Sequence, residues 1–458
     1  MSKAHGKSAL VIGGSLAGLL AARILSDHFE QVTIIERDPV GDVPESRKGQ
    51  AQTRHPHALL VQGLNIMSGY FPDLVDDLLS GGNPMLDMGR SMRWYCYGGY
   101  RARFELGLRG ILTSRPFLEW HLRRRVTALP NVTVRDSCSV EELLVSENHR
   151  RVIGLRALGA GAESEPQSFF ADLVVDAGGR GSRSPKWLER LGYGRPEEST
   201  VTCGTGYATR IYQRDASRPG NQDWVFVTPE APLEYKAGVA LPIEHDRWIV
   251  SLGGWHGHHA PADEAGFMAF AKSLPAPDVY HIIATSTPLS DIVSYKFPAS
   301  LRRHYERLED FPEGYLVLGD AVCSFNPLYG QGMTSAAMQA AALDKLLKAR
   351  PSLHGIRKPY FRQVTKIVDT PWKTAVAEDF RFPETKGRKA PGTDLINAYM
   401  DHVHRATHKD TVVGAAFLKV LNMIEPPVSL LSPRILWRVV RNLARRRLAR
   451  GGALHNIT

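Results

Sequence analysis

Residues 10–18, Leu-Val-Ile-Gly-Gly-Ser-Leu-Ala-Gly, constrain the fold of this chain more than any other stretch. They form a short apolar run that ends in a glycine-rich turn, and the Leu-Leu-Ala-Ala run that follows opens a helix. A second apolar run at 32–35 ends in Glu36, which lies 23 positions after Gly13. A strand, a glycine turn, a helix and a second strand ending in an acid are typical of the βαβ unit that binds a dinucleotide.

Each residue of the turn has a physical role in such a unit. Gly13 makes the tight turn, and Gly18 lets the helix pack closely on the strand. Free amides at the helix start favour a pyrophosphate, and Glu36 can accept hydrogen bonds from ribose hydroxyls. Ser15 replaces the middle glycine of the usual fingerprint, so an ordinary α/β turn is the alternative interpretation. The cofactor contacts predicted in this segment are Gly13, Gly14, Ser15, Ala17, Gly18, Glu36 and Arg37.

Length and composition indicate a globular protein with more than one domain. A chain of 458 residues exceeds the size at which a single hydrophobic core stops growing. Its hydrophobic fraction of 43% and charged fraction of 23% are ordinary for soluble proteins. We expect no signal peptide and no spanning helix, because the first strand begins at once and no apolar run is long enough. Four scattered cysteines predict reduced thiols, no metal site and a cytoplasmic location.

The positive charge is concentrated near one end of the chain. The formal net charge is +10, and residues 434–450 contain seven arginines and no acid. No nucleic-acid-binding module is recognisable elsewhere, so DNA and RNA are not expected partners. From Pro433 the apolar positions 435, 436, 439, 440 and 443 share one helical stripe with arginines beside it. This tail, 433–450, is predicted either to contact a membrane peripherally or to pack on the protein.

Two further glycine motifs follow buried apolar runs. The first, Asp176-Ala-Gly-Gly-Arg-Gly-Ser-Arg, ends at Arg183. The second is Gly319-Asp320-Ala, followed by Pro-Leu-Tyr-Gly-Gln-Gly-Met at 327–333. With these motifs the chain resembles the class A FAD-dependent monooxygenases, and most of all the bacterial FAD epoxidases of polyether biosynthesis and squalene-epoxidase-like hydroxylases.

The resemblance implies a set of FAD contacts beyond the first turn. In that family the acid of the Gly-Asp pair binds the ribityl chain, and the Pro-x-x-Gly-x-Gly turn opens a helix at the pyrimidine edge of the flavin. An Arg-Lys-Gly and an Arg-His-x-His motif are also shared, although Ala51 stands where the relatives usually have proline. The implied contacts are Arg47, Arg54, Arg115, Val140, Asp176, Gly319, Asp320, Pro327, Gly330, Gly332 and Met333.

The predicted fold class is α/β, with a Rossmann-like FAD-binding domain of the glutathione-reductase type. This domain is expected to be discontinuous, with a β-sheet substrate domain and a helical C-terminal region beside it. The boundaries are 1–90, 106–190 and 300–345 for the first, 91–105 and 191–299 for the second, and 346–458 for the third. No second dinucleotide domain is recognisable, so NAD(P)H is expected to bind transiently or to act through a separate flavin or ferredoxin reductase.

Aromatic and histidine side chains each allow two interpretations. Trp94, Tyr97 and Phe104 are predicted to wall an apolar substrate pocket, although packing of a sheet explains them as well. His55 and His57 lie in the polar loop 38–57, which the resemblance places over the flavin and which we call the flavin loop. A structural role is favoured for them over a catalytic one.

The resemblance implies insertion of one oxygen atom from O2 into a large lipophilic substrate such as a polyene or terpenoid, through a flavin hydroperoxide. The absence of a nucleophile elbow or a metal-ligand motif fits chemistry carried by a cofactor. Alternatives are a reductase of polyprenyl double bonds that resembles geranylgeranyl reductase, and a non-catalytic FAD scaffold. Tryptophan-type halogenases would show Trp-x-Trp-x-Ile-Pro, which the sequence lacks.

Overall fold

The computed structural model describes residues 5–160 and 165–454, and its side chains are described except at 51 and 447–454. Its centre is a five-stranded sheet in which all neighbouring strands are parallel. In chain-order numbering and from edge to edge, its strands are β19 (Tyr315–Val317), β11 (Leu173–Asp176), β1 (Gly6–Ile12), β2 (Phe29–Ile35) and β7 (Val132–Arg135). The apolar runs of the sequence form the inner strands, because a parallel sheet is covered on both faces.

Helices cover this sheet and form one large hydrophobic core with it. Leu19 and Leu20 of the first helix and Leu343 of the eighth are almost completely buried there. The α-helices between residues 5 and 349 of the described chain are α1 (Leu16–Ser26), α2 (Val61–Tyr70), α3 (Leu74–Ser80), α4 (Arg115–Thr127), α5 (Ser184–Arg190), α6 (Glu264–Lys272), α7 (Asp278–Thr285) and α8 (Gly332–Ala349).

A second, seven-stranded sheet is almost entirely antiparallel. Its strands, in spatial order, are β17 (Val293–Lys296), β13 (Gly206–Gln213), β16 (Arg247–Gly254), β15 (Lys236–Ile243), β14 (Trp224–Val227), β4 (Met92–Cys96) and β5 (Gly99–Tyr100). Helices α6 and α7 pack on one face through Phe267, Val279 and Ile283. All seven strands come from the segments 91–105 and 191–299, the two that the sequence assigns to a substrate domain.

Three small sheets complete the strands of the described residues. They are β8 (Cys138–Val145) with β9 (Val152–Gly159) and β10 (Gln167–Phe170); β12 (Glu198–Thr202) with β18 (Ser300–Arg303), β20 (Cys323–Ser324) and β21 (Lys386–Gly387); and β3 (Met85–Asp87) with β6 (Arg109–Ile111). The observed α/β arrangement agrees with the predicted fold class.

The C-terminal region is helical, as the sequence predicts. It contains α9 (Arg357–Asp379), α10 (Thr393–Ala406), α11 (Thr411–Leu421) and α12 (Pro433–Leu454). Helices α10, α11 and α12 cover the second face of the seven-stranded sheet, where Val403, Phe417 and Val439 pack near Trp224 and Ile249. Within the described residues, no helix is both long enough and apolar enough to cross a membrane.

The predicted apolar stripe of the tail is divided between two environments. Ile435 and Val439 are buried in the core cluster, whereas Val440 is 62% exposed. Two of the seven arginines, Arg447 and Arg450, lie outside the described side chains. Packing on the protein therefore accounts for one half of the stripe and leaves the other half free.

Candidate functional site

The carboxyl ends of β1, β2, β11 and β19 meet at one edge of the parallel sheet, and the site is built there. At the end of β2, Glu36 Oε2 accepts a hydrogen bond from the backbone amide of Gly14 at 2.7 Å. Its other oxygen accepts from the amide of Asp38 at 2.9 Å. Arg47 Nη1 lies 3.0 Å from Glu36 Oε2. The acid predicted to bind a ribose is thus held against the glycine turn.

A buried carboxylate that the sequence did not reveal organises the same edge. Glu119 of α4 is 3% exposed, and its Oε1 accepts from Arg47 at 2.8 Å and from Gln50 at 2.9 Å. Its Oε2 accepts from Arg115 at 3.1 Å and from Ser15 at 3.0 Å. Burial by itself would raise the pKa of Glu119, but Arg115 and Arg47 lower it, so the group is a carboxylate. The predicted residues Ser15, Arg47 and Arg115 therefore meet around one anion.

The start of α1 has no side-chain cap. Ser15 is the N-cap residue, but its hydroxyl is engaged by Glu119, and among the described residues no side chain accepts from the first-turn amides. These amides are therefore available to an anion. Gly18 is required for the close approach of the helix to the strand, because a Cβ there would lie 1.8 Å from the carbonyl oxygen of Gly13.

Asp320 lies beside this turn, since a Cβ on the preceding Gly319 would lie 2.9 Å from the Ala17 Cβ. It follows β19 in a short 3-10 turn, Gly319–Ala321, and its side chain has exposed surface. Burial among protein atoms nevertheless raises the pKa of Asp320, against the opposing effect of Arg115 and Arg180. Next to Asp320 the position of a Cβ on Gly332 is open, with Asp320 Oδ1 as the neighbour at 4.0 Å.

A second uncapped helix start faces the same region. The 3-10 turn Pro327–Tyr329 ends at Gly330, whose φ of +67° is left-handed and favours glycine. Gln331 then begins α8 without a side-chain cap, and Thr334 Oγ1 in the first turn is buried without a hydrogen-bond partner. These features fit FAD: an acid for the ribose, a helix start for the pyrophosphate, Asp320 for the ribityl chain and an open space at a second helix start.

Asp379 of α9 forms a buried polar cluster with the turn before α8. It has no exposed surface, and its Oδ1 accepts from Asn326 Nδ2 and from the Tyr329 hydroxyl, each at 2.9 Å. Trp255 Nε1 donates to the same oxygen at 3.4 Å. Burial raises the pKa of Asp379 to about 6. The sequence shows no signal for this pairing, because 53 positions separate Asn326 from Asp379.

The titration of Asp379 leads to a stability prediction. A carboxyl group whose pKa rises on folding contributes most to the stability of the folded state below its unfolded pKa. That contribution is lost as pH rises through the folded value of about 6. We expect Asp379→Asn to gain stability relative to the unchanged protein, by up to about 3 kcal/mol, between roughly pH 4 and pH 7. Urea unfolding across this range measures the difference. Parallel curves for the two proteins would contradict the assignment, and Asp310→Asn, at an exposed position, is the control.

The two histidines of the flavin loop are neutral at physiological pH. His55 is 2% exposed, its Nδ1 is hydrogen-bonded to Thr209 Oγ1 at 2.7 Å, and burial lowers its pKa to about 4. His57 Nδ1 lies 2.9 Å from the carbonyl oxygen of His55, and burial, reinforced by Arg115, lowers its pKa to about 3. His55 therefore joins the FAD side of the molecule to the seven-stranded sheet, which fits the structural role.

Other predicted contacts are placed around the site with different partners. Asp176 is completely buried, and its carboxylate accepts from the amide of Gly178 at 2.7 Å and from the Ser182 hydroxyl at 2.5 Å, so it shapes the loop after β11. The carbonyl of Val140 accepts from Arg183 at 3.1 Å. The remaining predicted residues are arranged as follows: Arg37 donates to the Gly49 carbonyl, Arg54 is exposed, Met333 is 6% exposed, and Ala17 lies in the first turn of α1.

The three aromatic residues predicted to wall a pocket, Trp94, Tyr97 and Phe104, pack against the C-terminal helices. Trp94 and Phe104 adjoin the core cluster that contains Phe417, and the ring of Tyr97 is stacked on His404 at 4.7 Å. The guanidinium of Arg101 lies between the rings of Trp94 and Phe417, at 4.0 and 4.1 Å from their centres. These contacts are those of sheet packing, and the pocket wall stays a prediction.

Comparison with curated proteins identifies the family. The chain is 33% identical over 443 residues to Protein Rv3254 of Mycobacterium tuberculosis (strain ATCC 25618 / H37Rv), covering 94% of this chain and 93% of the relative. The chain belongs to the family of Protein Rv3254. It is also 25% identical over 395 residues to a kynurenine 3-monooxygenase of Salinispora arenicola (strain CNS-205), covering 81% of this chain and 80% of that protein. No family model matches the sequence.

Solved structures share the fold at low identity. A flavoprotein/dehydrogenase from Cytophaga hutchinsonii aligns with a TM-score of 0.67 at 14% identity, covering 97% of this chain and 100% of the other. PqsL, a probable FAD-dependent monooxygenase from Pseudomonas aeruginosa, gives 0.61 at 16% identity, with 82% and 98% covered. A triple mutant of the flavin-dependent brominase Bmp2 gives 0.64 at 14%, with 95% and 99% covered. The predicted fold, that of the FAD-dependent monooxygenases, is confirmed.

Proposed function

We propose that this protein is an FAD-dependent monooxygenase that inserts one oxygen atom of O2 into a lipophilic substrate, by epoxidation or hydroxylation. The observation that carries the proposal is the position of Asp320, whose carboxylate faces an open space beside the uncapped start of α8. The likeness to a kynurenine 3-monooxygenase and the fold shared with PqsL support flavin chemistry.

The residues of the edge would hold the cofactor along its length. Glu36 would accept from the adenosine ribose, and Arg115 with the amides at the start of α1 would bind the pyrophosphate. Asp320 would accept from the ribityl hydroxyls, and the uncapped start of α8 would stabilise negative charge on the ring. FAD supplies the reaction with O2 when it is bound, and the protein supplies position and a dry cavity.

A lipophilic substrate is consistent with an aromatic cluster between the loop 38–57 and the seven-stranded sheet. The His55 ring meets the Tyr207 ring edge-on at 4.7 Å, and Tyr295 lies 5.6 Å from Tyr207. His55 is neutral and, like Tyr207, buried, whereas Tyr295 is half-buried. A partly exposed aromatic ring such as that of Tyr295 is compatible with a large apolar substrate such as a polyene or terpenoid.

The second candidate is a flavin-dependent reductase of polyprenyl double bonds, which would use the same cofactor site without oxygen. It shares the glycine motifs, and the two activities differ only in the fate of the electrons. In both cases NAD(P)H is the proposed source of reducing equivalents, directly or through a separate flavin or ferredoxin reductase.

Heavy dioxygen distinguishes the two reactions. The full-length protein with FAD is incubated with lipophilic extracts, NAD(P)H and a flavin reductase under the labelled gas, and products are analysed by mass spectrometry. We expect one labelled atom in the product and the other in water, with no product when oxygen is removed. A product that gains two hydrogens at the same rate without oxygen would establish the reductase instead.

A further inference from the structure

The C-terminal helices expose an unusual amount of apolar surface. Among the described residues, the large apolar side chains exposed there include Leu395, Ile396, Val428, Leu431, Leu436, Trp437 and Val440, which we call the apolar patch. Trp437 is 58% exposed and Val428 is 66% exposed. Single exposed apolar residues need no explanation, but a contiguous group marks a surface that binds something.

The members of the apolar patch lie on neighbouring elements. Tyr399 of α10, one turn after Leu395, donates its hydroxyl to the carbonyl of Leu430 at 2.6 Å. Leu430 belongs to the 3-10 turn Pro427–Leu431, which leads directly into α12. The start of α10, this turn and the first half of α12 are therefore adjacent on the surface.

Packing of α12 on the protein does not use its outer face. Ile435 and Val439, which are 5% and 3% exposed, point into the core cluster. The exposed positions of α12 recur every three or four residues, as single residues or as adjacent pairs. They include Arg434, Trp437, the pair Val440 and Arg441, and the pair Ala444 and Arg445. The outer face thus has apolar side chains that the fold does not need, with arginines among them.

The charge of the outer face of α12 is of one sign. Residues 426–454 contain no acid. The guanidinium of Arg441 lies over the ring of Trp437 at 5.2 Å, so cation and aromatic ring form one surface. By contrast Arg438, which faces the protein, pairs with Asp410 at 3.0 Å. Exposed arginines beside Trp and Val complement a surface that is negative outside and apolar inside.

We propose that the apolar patch docks on the surface of an anionic lipid bilayer. Trp437 and Val440 would enter the boundary between headgroups and acyl chains, while Arg434, Arg441 and Arg445 would contact anionic headgroups. The inference concerns binding alone and does not depend on the reaction proposed above.

Co-sedimentation with vesicles tests this docking. Full-length protein with FAD is mixed with phosphatidylcholine vesicles, with and without phosphatidylglycerol, at low and high salt. We expect binding to the anionic vesicles at low salt, and little binding to phosphatidylcholine alone or at high salt, because salt screens the arginines. Protein that stays in the supernatant with anionic vesicles at low salt would overturn the proposal.

Substitutions locate the surface. Arg434→Gln, Arg441→Gln and Arg445→Gln combined should lower the vesicle partition coefficient roughly tenfold to a hundredfold, since each arginine near an anionic surface adds about fivefold. The matched control removes the same charge at exposed Arg195, Arg350 and Arg362 and should bind nearly as the parent. Equal losses in both variants would show that net charge alone drives binding and would refute this patch.

A second pair of variants tests the apolar part. Trp437→Ser with Val440→Ser should weaken binding at least fivefold, whereas Leu233→Ser with Leu289→Ser, at exposed apolar positions elsewhere, should not. Bound flavin and the urea midpoint verify that each variant is folded. Unchanged binding by the folded Trp437 and Val440 variant would also refute docking through this patch.

Discussion

Asp320→Ala is expected to be purified largely without FAD. Surrounding protein atoms raise the pKa of this carboxylate, and it faces the open space beside the start of α8, where a hydroxyl of FAD would bind it. Loss of a hydrogen bond to a charged group costs about 1.5–3 kcal/mol, which corresponds to a roughly 10-fold to 150-fold weaker affinity for FAD. The ratio of visible flavin absorbance to protein, and titration of the apoprotein with FAD, measure the effect.

The control for this variant is Asp310→Ala, because Asp310 is exposed and lies on the other side of β19, before the strand. It should retain the flavin content of the parent. A yellow Asp320→Ala protein with one FAD per chain and unchanged affinity would show that Asp320 does not bind the ribityl chain.

Gly18→Ala is expected to disrupt the FAD-binding region itself. A methyl group at this position would lie 1.8 Å from the carbonyl oxygen of Gly13, so α1 must move away from β1. The residues next to this contact, Leu16 and Leu19, are each 1% exposed, so the displacement would open a closely packed core. We expect a loss of at least about 3 kcal/mol in the free energy of unfolding, together with loss of FAD.

Gly69→Ala provides a matched control in α2. No atom lies within 4 Å of a Cβ built at that position, so the added methyl meets open space. Alanine is favoured over glycine in a helix, and the control should be neutral or more stable by up to about 1 kcal/mol. Urea unfolding and flavin content compare both variants with the parent, and equal stability of Gly18→Ala and the parent would contradict the close approach.

The first βαβ unit is predictable from sequence because its causes are local. An apolar run forms a buried parallel strand, glycines permit the turn, and helical spacing forms α1. The acid at the end of the second strand then lies beside the turn, as the hydrogen bond from the Gly14 amide to Glu36 shows. The same reasoning extends to the Gly-Asp pair at 319–320, which follows a strand of the same sheet.

The direction in which a side chain points was harder to predict than the strand end at which it lies. Asp176 ends a strand of the parallel sheet, like Glu36, and the sequence assigns both acids to the cofactor. In the fold Asp176 is turned into its own loop and has no exposed surface, whereas Glu36 faces the glycine turn. Sequence position fixes the edge of the sheet at which an acid lies, but not the direction of its carboxylate.

The sequence by itself determined the α/β architecture, the strand-end glycine turns and the helical C-terminal region, because periodicity and glycine placement act over a few residues. Only the tertiary structure decided that Glu119 joins Arg47, and that Asp379 anchors the turn at Asn326. It also decided which half of the α12 stripe is buried. Such pairings join residues tens of positions apart, and their burial and charge exist only after the elements have packed together.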